Sequence, residues 1–349
     1  MINIDGSYGE GGGQLLRTAL SLSVILQKPF RIFKIRANRP KPGLQHQHLT
    51  CVKALAEISG AYVEGAKLHS QEIKFFPKKI KKKTKYIFDI KTAGSTSLLF
   101  QTLLYPLALS HDAEVILKGG THVPYSPPFH YLKYVFSEVI KHFGLEVDLE
   151  IITPGFYPKG GGEIKAKIKK WERFSIPIFS QGFSPDKVFL ISLITKGLPE
   201  HILKRQADSA NKILKKYKIF PEIKLEKVKS VSEGTMCFIW AEDKLKRAGF
   251  TTLGKKGLPA EKVGETTALE FLEFLNTNTQ VEEHLGDQLL IPISIAIINS
   301  KENHFNYTVS KITKHLITQA WVIKQFIPEI EIKVIGEIGK KGKVEVYKK

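Results

Sequence analysis

Three stretches of this chain combine residue types that could act on a phosphate. The first, Glu10-Gly11-Gly12-Gly13-Gln14-Leu15-Leu16-Arg17, lies where a short apolar strand gives way to a helical pattern. Glycines let backbone approach a ligand closely, and a helix N-terminus offers unpaired N–H groups to an anion. The stretch is neither G-x-x-x-x-G-K-[ST] nor G-x-G-x-x-G, so neither common nucleotide motif applies. A carboxylate there repels phosphate unless a divalent cation stands between them, which makes Glu10 either a metal ligand or a helix-end charge. The second stretch, Arg36-Ala37-Asn38-Arg39-Pro40-Lys41-Pro42-Gly43, is a proline-stiffened loop in which Arg36 and Arg39 can face one anion. The third runs from Tyr307 to His315. Ser310 reads as its N-cap, with Ile312, Leu316, Ala320 and Ile323 as a buried stripe. His315 falls about one turn into that helix, where the dipole favours a neutral, nucleophilic imidazole; a structural histidine is the competing reading.

Weaker signals surround these. Gln101 is the one large polar residue in Leu98-Leu99-Phe100-Gln101-Thr102-Leu103-Leu104, so its amide must find a partner, in the protein or in a ligand. In the stiff segment from Gly119 to Tyr131, Pro128 and Tyr131 can form a flat wall for a base. His284-Leu285-Gly286-Asp287-Gln288 opens a strongly apolar helix, with Asp287 and Gln288 able to cap it or to bind a ribose or metal. His46 and His48 fall in a helical pattern, where i and i+2 diverge, so surface or RNA contact is favoured over a metal site.

The elements that must position these residues recur. Strand 2–5, helix 14–26, strand 29–36, helix 44–59 and strands 62–66 and 71–76 form a β-α-β-α-β-β unit. The order returns in strand 86–91, helix 95–110, strand 113–118, helix 128–143 and strands 145–152 and 163–169. A third copy, from strand 173–179, helix 283–297, strand 304–309, helix 311–326 and strands 330–336 and 342–347, requires an insertion. This divides the chain into a three-repeat body, 1–180 with 279–349, and a small α/β insert, 181–278. The insert reads as strand 188–195, a basic helix 200–217, strands 221–227 and 236–241, and helix 260–275. A second glycine motif, Gly155-Phe156-Tyr157-Pro158-Lys159-Gly160-Gly161-Gly162-Glu163, echoes Gly6 to Gln14 at an offset of 149 but joins two strands.

Composition narrows the class further. The 349 residues carry a formal charge of +19, which points to an anionic partner, nucleic acid first. Only seven of the 53 basic residues are arginine, and Arg17, Arg31, Arg36 and Arg39 are four of them. That placement concentrates forked phosphate donors near the N-terminus. The lysine run between 78 and 85 reads first as a solvated loop. Cys51 and Cys237 are too few and too far apart for a zinc site or disulfide framework. No apolar run is long enough for a membrane span, and the start of the chain lacks the pattern of an export leader. A cytoplasmic location is expected.

Taken together, these stretches resemble the RNA 3′-terminal phosphate cyclase family. The resemblance rests on Asp5-Gly6…Gly9-Glu10-Gly11-Gly12-Gly13-Gln14…Arg17, Arg36-Ala37…Arg39…Lys41-Pro42-Gly43-Leu44, Thr92-Ala93-Gly94-Ser95, Gly119-Gly120-Thr121, Gly155-Phe156-Tyr157-Pro158…Gly160-Gly161-Gly162 and Asp287-Gln288, in family order over almost the whole chain. It implies an α/β fold of three repeats, akin to part of initiation factor 3 and to enolpyruvyl transferases, with a small thioredoxin-like insert. It also implies ATP as substrate, a Mg²⁺ or Mn²⁺ ion, and RNA with a 3′-phosphate as partner; homo-oligomerisation stays open. By the same resemblance His315 is the nucleophile that takes AMP, and Glu10 holds the metal. Gln14, Arg17, Arg36 and Arg39 contact phosphate or RNA, and Gln101, Pro128, Tyr131 and His284 to Gln288 contact the nucleotide. His284 departs from the tyrosine expected in bacterial members, although imidazole can also stack on adenine. Two rivals share the fold: a non-catalytic cyclase-like RNA-binding protein of ribosome assembly, which lacks the histidine, and an enolpyruvyl transferase, which needs no adenylylated histidine.

Overall fold

A computed structural model describes residues 1–349. Its first unit contains β1 (Ile2–Asp5), α1 (Gly13–Leu26), β2 (Phe30–Phe33), α2 (His46–Ser59), β3 (Tyr62–Glu64) and β4 (Ile73–Phe76). The second has β5 (Lys85–Asp89), α3 (Thr96–Ala108), β6 (Ala113–Gly119), then α4 (Phe129–Tyr131), a π-helical turn (Leu132–Phe136) and α5 (Ser137–Lys141) where one helix was expected, followed by β7 (Val147–Thr153) and β8 (Gly162–Ile168). Strand period sets what is buried: in β6, Ala113, Val115 and Leu117 point inward while Glu114, Ile116 and Lys118 do not. The sheets run β1-β2-β4-β3 and β5-β6-β8-β7, in each case with the first pair parallel and the others antiparallel.

In the region expected to be an insert lie β9 (Lys187–Thr195), α6 (His201–Lys216), β10 (Glu222–Val228), β11 (Thr235–Asp243), β12 (Lys246–Leu253) and α7 (Ala260–Thr277). Its sheet order is β10-β9-β11-β12, with only the β10–β9 pair parallel. β12 adds a strand to the expected set; Gly249 and its threonines blur the alternation that would mark it in the sequence. A second apolar cluster forms around Leu190, Ile239 and Phe271, while Ile191, Met236 and Phe238 of the same sheet join the main core. At the junction, the buried Lys246 ammonium donates to the carbonyls of Ser180, Gln181 and Gly182 and pairs with Asp243 at 2.8 Å.

The last unit holds α8 (Glu283–Gln288), α9 (Leu290–Asn299), β13 (His304–Val309), α10 (Lys314–Phe326), β14 (Ile330–Ile335) and β15 (Gly342–Lys348). Its sheet has three strands, β13-β15-β14. The strand expected at 173–179 does not form: Pro177 cannot donate to a ladder, and the position beside β13 is held by a single parallel bridge, Val281 to Val309.

α1 is the hub. It packs against α2, α3 and α10, one helix from each unit, and Leu15, Leu16, Ala19, Leu20 and Leu22 are fully buried. Truncating Leu20 to alanine should therefore lower stability by about 2–5 kcal/mol, read as a lower urea midpoint with unchanged slope. A shift under about 0.5 kcal/mol, as for a surface change, would show that α1 does not carry this packing. No helix is long and apolar enough to cross a membrane.

Candidate active site

The glycine-rich turn before α1 brings charged heads over bare backbone. Gly9 and Gly11 both have φ +62°, a conformation that favours glycine. A Cβ on Gly13 would overlap the His48 ring and come within 2.8 Å of the Arg17 guanidinium. Glycine at 13 therefore permits both groups to close on the turn. Glu10 is fixed through its N–H, which donates to Thr318 Oγ1 at 3.1 Å, one turn along α10 from His315.

α10 begins three residues later than the sequence suggested. Thr313, not Ser310, is the N-cap, with its hydroxyl accepting from Leu316 N–H at 3.0 Å. Ser310 instead gives its N–H to the Val281 carbonyl. His315 is thus the second residue of the helix, with half its side-chain surface exposed. Burial of the rest of the ring, and then the charges of Arg17, His284 and Arg39, lower its pKa to about 4. The imidazole is neutral at neutral pH.

A relay sets the orientation of that ring. Gln14 Nε2 donates to Asp287 Oδ2 at 2.6 Å, and Gln14 Oε1 lies 2.9 Å from His315 Nδ1. With its NH₂ turned to the carboxylate, Gln14 presents only an acceptor to the histidine. The network therefore assigns the proton to Nδ1 and the lone pair to Nε2. Nε2 faces Glu10 Oε2 at 3.4 Å, beyond a good N–H···O distance. Burial pushes the Asp287 carboxyl up to about 7, against the opposing charges of His284 and Arg17.

Arg39 pairs with Glu10, and Arg17 lies against Gly13 of the same turn, its pKa lowered by burial. Arg36 is spent locally. It has φ +54°, and its guanidinium donates to the carbonyls of Lys41 and Gly43 in its own loop, so it does not share an anion with Arg39 as expected. His48 is buried with a pKa of about 3, lowered by burial and then by Arg17 and Arg36.

The nucleotide candidates divide. Gln101 Nε2 donates to Gln288 Oε1 at 2.7 Å, and His284 is 71 % exposed at the mouth of α8. Tyr131 offers no open face to a base, because its ring is buried and its hydroxyl donates to Glu282, the buried N-cap of α8. Pro128 is likewise buried. Leu285 belongs to the core, and the Gly286 carbonyl accepts from Tyr307. The sequence carries no signal for the roles of Glu282 and Thr318 beyond the position of Glu282 just before a helix.

The fit to a metal is that of an ion delivered with its ligand. Glu10 is the one carboxylate on the turn, and no group of three or more His, Cys, Asp or Glu side chains is poised to hold an ion. Magnesium commonly uses one or two carboxylates, substrate phosphates and water, so this donor set is compatible with it.

The comparisons with known proteins agree with one another. The family described as RNA 3′-terminal phosphate cyclase matches residues 8–334. A curated protein of that name from Sulfolobus acidocaldarius is 46% identical over 332 residues, 94% of this chain and 95% of its own length. One from Pyrococcus furiosus is 42% identical over 350 residues, covering 100% and 99%. Another, from Gloeothece citriformis, is 40% identical over 334 residues, 93% of each.

Proposed function

The chain belongs to the RNA 3′-terminal phosphate cyclase family, and from that premise we propose how its residues close an RNA end at the expense of ATP. His315 Nε2 attacks the α-phosphorus of ATP; an N–P bond forms and the bond to pyrophosphate breaks. An oxygen of the RNA 3′-phosphate then attacks the same phosphorus, freeing Nε2 and leaving AMP joined to the RNA end. Finally the adjacent 2′-OH attacks the terminal phosphorus, AMP departs, and the hydroxyl proton passes to water. The product is a 2′,3′-cyclic phosphate. Dividing one hard displacement into easier ones is the gain from a covalent nucleophile.

The observation that carries this reading is the Asp287–Gln14–His315 relay, which holds a neutral imidazole with Nε2 free to attack. Arg17 and Arg39 supply forked donors for the phosphates. Glu10 would hold Mg²⁺ or Mn²⁺ together with the phosphate oxygens, an ion that would neutralise charge there. His284 offers an exposed ring to adenine, and the Gln101–Gln288 pair offers amides to the ribose. Glu282, braced by Tyr131, keeps α8 in place beneath them. The second apolar cluster supports treating 181–278 as a second domain attached to a catalytic body, 1–180 with 279–349.

The test compares oligomers ending in 3′-phosphate, 3′-hydroxyl and 2′-deoxy-3′-phosphate. Only the first should cyclise. The 2′-deoxy end should accept AMP and stop there, since no hydroxyl remains to displace it, and the 3′-hydroxyl end should stay unmodified. A cyclic product from the 2′-deoxy end would overturn the sequence of steps.

A further inference from the structure

The second glycine-rich turn, Gly155 to Gly162, takes no part in the chemistry above, yet a run of close contacts joins it to the catalytic turn. Gly13 lies against His48 on α2. Its neighbour Gln47 accepts the Ser95 N–H at the start of α3 at 2.8 Å, and a Cβ on Gly94 would stand 3.1 Å from Gln47 Cβ. A Cβ on Gly160 would come 2.8 Å from Ala93 Cα. Lys159 N–H then donates to Ser232 of the insert at 3.1 Å, and Gly161 lies against Val231. The N-terminal ends of α2 and α3 therefore lie between the active site and the insert, with this turn spanning the far end.

The chemistry along that path favours an extended polyanion. Neither α2 nor α3 has an acidic residue in its first turn, so no carboxylate there offsets their helix dipoles. Lys41 and Lys159 are exposed and form no ion pair; Lys91 is paired with Asp89. Of the nearby carboxylates, Glu163 is paired with Lys118, and Glu233 is exposed beside Gly197. At the tip of the turn Tyr157 is 66 % exposed, two residues from Lys159. The turn is firmly seated: Phe156 is buried and stacked on His122 at 4.9 Å, and Gly160 N–H donates to the Phe156 carbonyl. An exposed aromatic ring beside an unpaired cation on a fixed turn is a platform for a base and its phosphate.

We infer that this turn, with the N-termini of α2 and α3, forms the track that holds the RNA strand on the 5′ side of its terminal phosphate. The inference rests on the cyclase reading, which sets that phosphate beside Arg17 and Arg39. It gives the second glycine motif a role as the far end of the RNA site, positioned by the insert.

The test uses the full chain and its Tyr157→Ala/Lys159→Ala variant, whose changes lie on exposed side chains. Binding of 3′-phosphorylated RNA is read by fluorescence anisotropy, which needs no turnover. For an oligomer of about ten nucleotides, the variant should bind about tenfold or more weakly, with a salt slope lower by about 0.7 for the lost phosphate contact. A dinucleotide 3′-phosphate should bind both proteins equally. Unchanged affinity for the longer RNA, or an equal loss for both lengths, would overturn the track. Labelling by ATP alone is measured in parallel and should be equal in both proteins. Its failure in the wild type would instead sink the histidine–AMP chemistry, independently of the binding result.

Discussion

Replacing His315 by alanine is expected to abolish ATP-dependent closure of RNA ends, with a loss of at least about 10⁴-fold, the scale seen when a covalent nucleophile is removed. No other group is placed to substitute. His48 is buried, and the guanidinium groups of Arg17 and Arg39 are donors only, with no lone pair to attack phosphorus. The fold should survive, since the ring is half exposed and its one close hydrogen bond is to Gln14. The unfolding free energy from urea titration should thus stay within about 1 kcal/mol of wild type. Cyclisation within tenfold of wild type would remove His315 from the mechanism.

Breaking the relay should have the second-largest effect. Gln14→Leu keeps the approximate size of the side chain but loses both hydrogen bonds, so the imidazole is free to adopt the wrong tautomer. Adenylylation should fall by about 10²- to 10⁴-fold, a range common to lost acid–base positioning, while His315 itself is intact. The same relay makes a pH statement. With a pKa near 4, His315 is neutral throughout the working range. Asp287, raised to about 7, accepts from Gln14 as a carboxylate; once protonated it can donate to the amide oxygen and turn Gln14 around. The adenylylation rate should therefore rise with pH through about 7 and fall below it, and Asp287→Asn should remove that limb. A limb near 4, unmoved in Asp287→Asn, would report the imidazole alone and uncouple Asp287 from the site.

Local pattern was enough for much of this molecule. The strand and helix order of the first two units and the α/β class follow from periodicity; Glu10, Arg17, Arg39 and His315 draw attention by type and spacing, but their expected roles come from the family resemblance. What local pattern could not supply was partnership. Gln14 reads as a phosphate contact beside a glycine turn, but it meets Asp287 and His315 across 273 and 301 residues of chain. Arg36 looks equivalent to Arg39 until its positive φ turns its guanidinium onto its own loop. Tyr131 sits in a segment that resembles a binding loop, yet the packing of α4 buries its ring. Ser310 and Thr313 are equally good caps by type; the backbone bond of Ser310 to Val281 decides between them.

The central claim, a covalent AMP on Nε2 of His315, is tested most directly by incubating the wild-type protein with α-labelled ATP and Mg²⁺ or Mn²⁺, digesting it, and locating the label by mass. The account predicts one acid-labile AMP per chain, on the peptide containing His315, discharged by 3′-phosphorylated RNA and not by a 3′-hydroxyl end. Label on another residue, or cyclisation at the full rate with no labelled protein at any time, would contradict it.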